Sequence, residues 1–345
     1  MQRQSNIELL RCLSMFMVLL LHSSFLAFGM PDVKDIQGNP VLWGGGRIFQ
    51  EGISIVAVDV FVFISGWFSI KPKLKSICSF LFQVAFLKTL SYVIFVSVGL
   101  VELNKETLTE LLMLESGQGW FVKAYLLLYI ISPVLNTFVQ HTSKDTFKKI
   151  LVAYWSFLFL LGWVFDATTY INGGYSIVSF VGLYLLARYV RVWNPKWAYQ
   201  DKMKDIGVYA LFCLVFFGAI LIGGLFGIKQ TSYLAFKLCS YVSPLTVIGA
   251  ISLLLFFSKL DVRHNRFINL CGKSCFSVYL LHAFWGYWFK ILSYIDNNYR
   301  GTTYVLLIFS FLLIVYFGCI LIDMLRIEAW RVVERVCLKH SYGKQ

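Results

Sequence analysis

Long apolar stretches alternate with short polar links along almost the whole chain. Runs of spanning length fall near residues 7 to 29, 48 to 68, 76 to 101, 119 to 140, 147 to 165, 174 to 191, 206 to 227, 232 to 257, 273 to 293 and 302 to 323. About 20 apolar residues in a helix cross the hydrocarbon layer of a bilayer, where the backbone has to satisfy its own hydrogen bonds. The pattern therefore predicts an all-α, polytopic membrane protein with about ten transmembrane helices. No low-complexity tract, repeat or long polar insertion interrupts the series. Residues 1–345 are expected to form a single integral membrane domain, with a helical core over about 7–323 and a short basic tail over 324–345.

Composition agrees with this reading, since 58% of the 345 residues are hydrophobic and only 14% are charged, more apolar surface than a soluble core can hide. Charge adds the orientation. An even number of spans puts both termini on one side, and the links on that side hold most of the cations, among them Lys71, Lys73, Lys75, Arg188, Arg191, Lys196, Lys259, Arg263 and Arg331. The opposite links offer Lys34, Arg47, Lys105, Lys229 and Arg300. The positive-inside rule then makes both termini cytoplasmic, and a multi-pass protein of the plasma membrane is expected. The same distribution explains the net charge of +13 by orientation and anionic headgroups, so nucleic acid is not an expected partner. Bulky residues continue through Ser23 to Met30 without a cleavage pattern, so the first run is expected to stay as a helix.

Eight cysteines lie in the spans or at their inner ends, and no Cys-x-x-Cys pair occurs. Neither a disulfide framework nor a metal site is expected. Histidine is more telling. His141, His264 and His340 fall in links or the tail, whereas His22 and His282 lie inside spans. For His282 a helix contact and a functional role are both open. His22 has company: Arg11 stands eleven residues earlier, almost three whole turns, on the same helix face and roughly 16 Å away along the axis. Glu8 lies one turn before Arg11, placed to pair with it. Ionisable residues in a span are costly enough that function is their default meaning.

Four motifs in register resemble the membrane acyltransferase-3 family. Ile7-Glu8-Leu9-Leu10-Arg11 through His22 resembles its arginine, ten residues, histidine signature, and Val58-Asp59-Val60-Phe61-Val62-Phe63-Ile64-Ser65-Gly66 resembles its second-helix run. Trp120-Phe121-Val122-Lys123-Ala124-Tyr125, with Tyr129 and Ser132-Pro133 behind it, resembles the fourth-helix motif of the polysaccharide-modifying branch. Gly272-Lys273-Ser274 and Tyr279-Leu280-Leu281-His282 resemble the late signature. Gln118 stands where many members carry histidine, so no histidine role transfers to that position.

The resemblance implies transfer of an acyl group, usually acetyl from acetyl-CoA, to a hydroxyl of a cell-surface polysaccharide or its lipid-linked precursor. Physical chemistry fits the same residues. Arg11 can bind donor phosphates by paired hydrogen bonds. A neutral imidazole at His22 can take the acceptor hydroxyl's proton, by direct transfer or through an acyl-histidine, and His282 is the expected oxyanion or acceptor-orienting partner. Asp59 needs a partner or water, either a salt bridge, with Lys123 for example, or a substrate. Trp120, Tyr125 and Tyr129 read as interfacial anchors, with a sugar platform as the alternative for Trp120 and Lys123 beside it to contact an anionic acceptor; Tyr125 is counted with them among the expected substrate-binding residues. Expected partners are thus acyl-CoA, a surface carbohydrate or lipid-linked saccharide, and the bilayer, with the oligomeric state open. A transporter of saccharide or lipid-linked saccharide without covalent transfer is the alternative, since it too would use intramembrane polar residues.

Overall fold

In the computed structural model, residues 3–111, 119–166, 169–283 and 286–342 are described, together with their side chains except at Glu110 and from 337 onward. Regular structure among them is entirely helical. The chain opens with α1 (Ser5–His22), the short α2 (Phe25–Phe28) and α3 (Val33–Gly38), and a π-helical stretch, Pro40–Arg47, that runs into α4 (Ile48–Ser54) and α5 (Ala57–Phe68). Next come α6 (Leu74–Ser97), α7 (Lys105–Leu111), α8 (Trp120–His141), α9 (Lys144–Phe157) and α10 (Ile177–Trp193). The series closes with α11 (Lys202–Leu225), α12 (Thr231–Leu238), α13 (Pro244–Ser258), α14 (Arg266–Ser274), α15 (Phe276–Leu281), α16 (Tyr287–Asn298) and α17 (Gly301–Tyr342).

Among the described residues, seven helical segments are long and apolar enough to cross a membrane: Ser5–Phe28, Pro40–Phe68, Leu74–Ser97, Trp120–His141, Lys144–Val164, Lys202–Leu225 and Gly301–Val336. The other three expected spans are helical but shorter or interrupted, each for a local reason. The sixth is α10, 17 residues long, started by the Ser176 hydroxyl accepting from the Ser179 N–H and stopped at Asn194 in the left-handed region. The eighth breaks between α12 and α13. There Pro244 brings no N–H to the ladder, and the Tyr241 N–H and Ser240 hydroxyl both turn outward to Gly173 O, at 2.9 and 3.1 Å. The ninth is divided among α14, α15 and α16, with Gly286 at φ 87° before the last.

Two compact units are present, the first made of Met1–Lys71 and Gly119–Asn269, the second of Pro72–Gln118 and Leu270–Gln345. In the first, α5 is the central element, packed by α1, α10 and α13. Its hydrophobic run buries Val58, Val60, Val62, Phe63 and Ile64, and Gly66 lets α10 come close: a Cβ there would lie 2.7 Å from Tyr184 O and 2.8 Å from Ala187 Cβ. Turning off α5, Ser69 takes φ 62°. Its hydroxyl donates to Asn136 Oδ1 at 2.9 Å, the Ile70 N–H donates to the Tyr184 hydroxyl at 3.1 Å, and the Asn136 amide donates to Ile70 O at 2.8 Å.

In the second unit, α15 and α6 pack on α17. Phe80 stacks on Phe276 with centroids 5.5 Å apart, and the Ser277 hydroxyl donates to Cys319 O at 2.9 Å. A polar network lies inside this packing. Arg326 grips the buried Asp323 through Nε at 2.9 Å and Nη2 at 2.6 Å, and the Gln83 amide donates to the same carboxylate at 3.0 Å. Every polar group of that carboxylate is thereby matched, as low-dielectric burial demands.

Candidate functional site

Helix α1 carries Arg11 and His22 without a break, so the expected common face holds. Arg11 Nη1 donates to Glu8 at 3.0 Å and 2.9 Å, one bond to each carboxylate oxygen. Glu8 is buried and also receives Arg3 at 2.8 Å. The pairing read from the one-turn spacing is therefore present, and it occupies Arg11 with a carboxylate. His22 is partly exposed at the far end of the helix.

Three helices set the heights of the remaining residues in this unit. The hydroxyls of Ser65 on α5 and Tyr125 on α8 lie 3.2 Å apart, and Arg11 acts electrostatically on Tyr125. Farther along both helices, Tyr129 bonds Lys71 O and Asn136 meets Ser69 and Ile70, so α5 and α8 run parallel. Asp59, six residues before Ser65, and Trp120, five before Tyr125, thus share a level roughly 8–9 Å from Arg11. Helix α1 runs the opposite way. Its far end bonds the stretch before α5, with the Gln50 amide on Leu20 O at 2.8 Å, the Ser24 hydroxyl on Arg47 O at 3.0 Å and the Phe25 N–H on Glu51 Oε2 at 3.2 Å. His22 therefore lies beyond the Asp59 level in the same direction. The order along the unit is Arg11, then Asp59 and Trp120, then His22.

Asp59 is fully buried, and neither carboxylate oxygen has a hydrogen-bond partner among the described residues. The salt bridge weighed for it is not formed there, and Lys123 is exposed. Trp120 is no isolated anchor. Its ring packs against Tyr175 at 4.6 Å, Phe121 and Phe180 at 5.9 Å and Tyr241 at 6.0 Å between centroids. Asp59 and the buried Glu51 both act electrostatically on Tyr241. Two carboxyl groups and three ring faces of Trp and Tyr are thus gathered between the Asp59 level and the His22 end of α1, a combination that suits hydroxylated ligands.

His282 lies in the second unit, buried after α15. Its Nδ1 sits 3.0 Å from Val278 O and 3.1 Å from Tyr279 O. Carbonyls only accept, so Nδ1 carries a proton. Trp288 meets the ring edge-on at 5.3 Å.

Sequence reasoning missed Glu51, Tyr175, Tyr241 and the Gln83, Asp323, Arg326 network. Glu51 stood near the start of an expected span, where a carboxylate passes as interfacial, and the tyrosines were lost among 19. Gln118 and Glu115 lie outside the described residues. No group of three His, Cys, Asp or Glu side chains suited to a metal forms among the described residues.

A family model described as an acyltransferase domain matches residues 4–324, covering helices of both units and all four motifs. The chain belongs to the acyltransferase-3 family and is a membrane acyltransferase. No curated protein and no solved structure matches it.

Proposed function

We propose that this membrane acyltransferase moves an acetyl group from acetyl-CoA to a hydroxyl of a cell-surface polysaccharide or its lipid-linked precursor. The observation that carries the reading is the single unbroken helix that sets a cation and an imidazole on one face, with Asp59, unpartnered among the described residues, at an intermediate height. His22 takes the acceptor hydroxyl's proton as that oxygen attacks the thioester carbonyl. The carbon–sulfur bond breaks, and the proton passes from His22 to the departing thiolate, leaving ester and free coenzyme A. Asp59 accepts a hydrogen bond from another acceptor hydroxyl, and Trp120, Tyr175 and Tyr241 offer ring faces to the sugar. Tyr125 and Ser65 line the path from the Arg11 level, and Lys123 meets acidic acceptors. The basic links support cytoplasmic termini, and a cell-surface acceptor calls for a plasma-membrane location.

Purified protein in right-side-out and inside-out vesicles, given labelled acetyl-CoA and a saccharide acceptor, tests this. Free coenzyme A and labelled acceptor are expected only where the donor reaches the Arg11 side. Transfer with donor solely at the opposite face would overturn the orientation, and saccharide movement without consumption of acetyl-CoA would overturn the chemistry.

A further inference from the structure

Coenzyme A carries a pyrophosphate and a ribose phosphate, yet Arg11 is already paired with a buried carboxylate. One engaged arginine is a poor match for several phosphates, so other cations at the same end of the unit come into question. Two stand one turn apart on α10. Arg188 donates from Nη1 to Gly66 O at a long 3.4 Å, and its buried Nε has no partner among the described residues. Arg191 is exposed and lies over the Trp67 ring at 4.8 Å. Neither meets a carboxylate among the described residues.

Their position links them to the Arg11 level. Tyr184, one turn before Arg188, acts electrostatically on both Arg188 and Tyr125, and Tyr125 also feels Arg11. Three arginines are thus arranged around the last turn of α5. The two on α10 have guanidinium groups uncommitted to acids, whose flat, forked donors match phosphate oxygens. A topology signal alone requires only charge. It does not require a buried guanidinium N–H held without an acceptor, an arrangement that costs free energy unless a ligand fills it.

We infer that Arg188 and Arg191 bind the phosphate groups of the acyl donor, with Arg11 completing the cluster. The inference rests on the coenzyme A-dependent reading above. The test compares wild type with the Arg188→Gln/Arg191→Gln protein in nanodiscs, using acetyl-CoA and S-acetylpantetheine, a donor that lacks the nucleotide phosphates. The KM for acetyl-CoA is expected to rise about tenfold or more, while the KM for S-acetylpantetheine stays unchanged. An unchanged KM for acetyl-CoA, or an equal loss with both donors, overturns the inference. If the glutamine protein does not fold, Arg188→Lys/Arg191→Lys keeps the charge and loses the fork. It is expected to raise the acetyl-CoA KM selectively, and an unchanged value overturns the inference. A second arm repeats wild type in phosphatidylcholine with and without phosphatidylglycerol. A pair that serves lipid headgroups instead would show wild-type stability dependent on the anionic lipid and donor KM independent of the two arginines, which also overturns the inference. Wild type that neither binds nor consumes acetyl-CoA overturns the underlying reading instead.

Discussion

Asp59→Asn separates a binding carboxylate from a packing one. The side chain is fully buried on α5, and neither oxygen has a partner among the described residues. A buried polar group left without a partner costs about 1–3 kcal/mol, and a charged one more. The amide keeps the shape and removes the ionisable group, so the variant is expected to be at least as stable as wild type. Function moves the other way. A hydrogen bond from the acceptor hydroxyl to the carboxyl contributes about 0.5–1.5 kcal/mol. Losing that bond lowers transfer by roughly 2–13-fold, felt in acceptor rather than donor saturation. Thermal unfolding in nanodiscs and initial rates with each substrate varied read the two effects separately. A variant that melts several degrees below wild type would show that the carboxylate holds the helices together. Unchanged rates in a well-folded variant would remove Asp59 from the site.

His22→Ala is expected to lower transfer by about 10²–10⁴ while insertion and unfolding temperature stay near wild type; near-normal turnover in the folded variant refutes the base assignment. Gly66→Ala places a methyl 2.7 Å from Tyr184 O, so α5 and α10 must part, at a cost of roughly 1–3 kcal/mol, seen as a lower unfolding temperature. In the second unit, Asp323→Ala strands Arg326 and Gln83 and should cost on the order of 3–5 kcal/mol, measured as lost folded yield; full retention would show that the network is dispensable.

Helix α1, with Glu8, Arg11 and His22 in order, was fully legible, because one periodic run fixes which residues share a face and which neighbours pair. The Val58 to Gly66 run was legible too, including the need to explain Asp59. Interrupted segments were not. Nothing in Cys239–Ser243 itself announces a break, and what breaks the helix there is a pair of hydrogen bonds to Gly173, 67 or more residues away in sequence. The same holds for Tyr241 and Tyr175, which approach Trp120 only through that break. Arg188 and Arg191 were counted as inner-face charges, because a charge count does not register whether a guanidinium meets an acid. Asp323 fell at the expected end of the last span, where an acid looks terminal, yet α17 continues beyond it to Tyr342 and Arg326 follows within a turn.

The turn after α5 has a mechanical consequence. Ser69, in the left-handed region, and Ile70 are tied by three hydrogen bonds to side chains of α8 and α10. Sliding α5 along its axis by even one residue, about 1.5 Å, would strain all three together. The helix therefore acts as a stator: the heights of Asp59 and Ser65 are set from its anchored end, and the moving parts of any catalytic cycle must be sought in the elements around it.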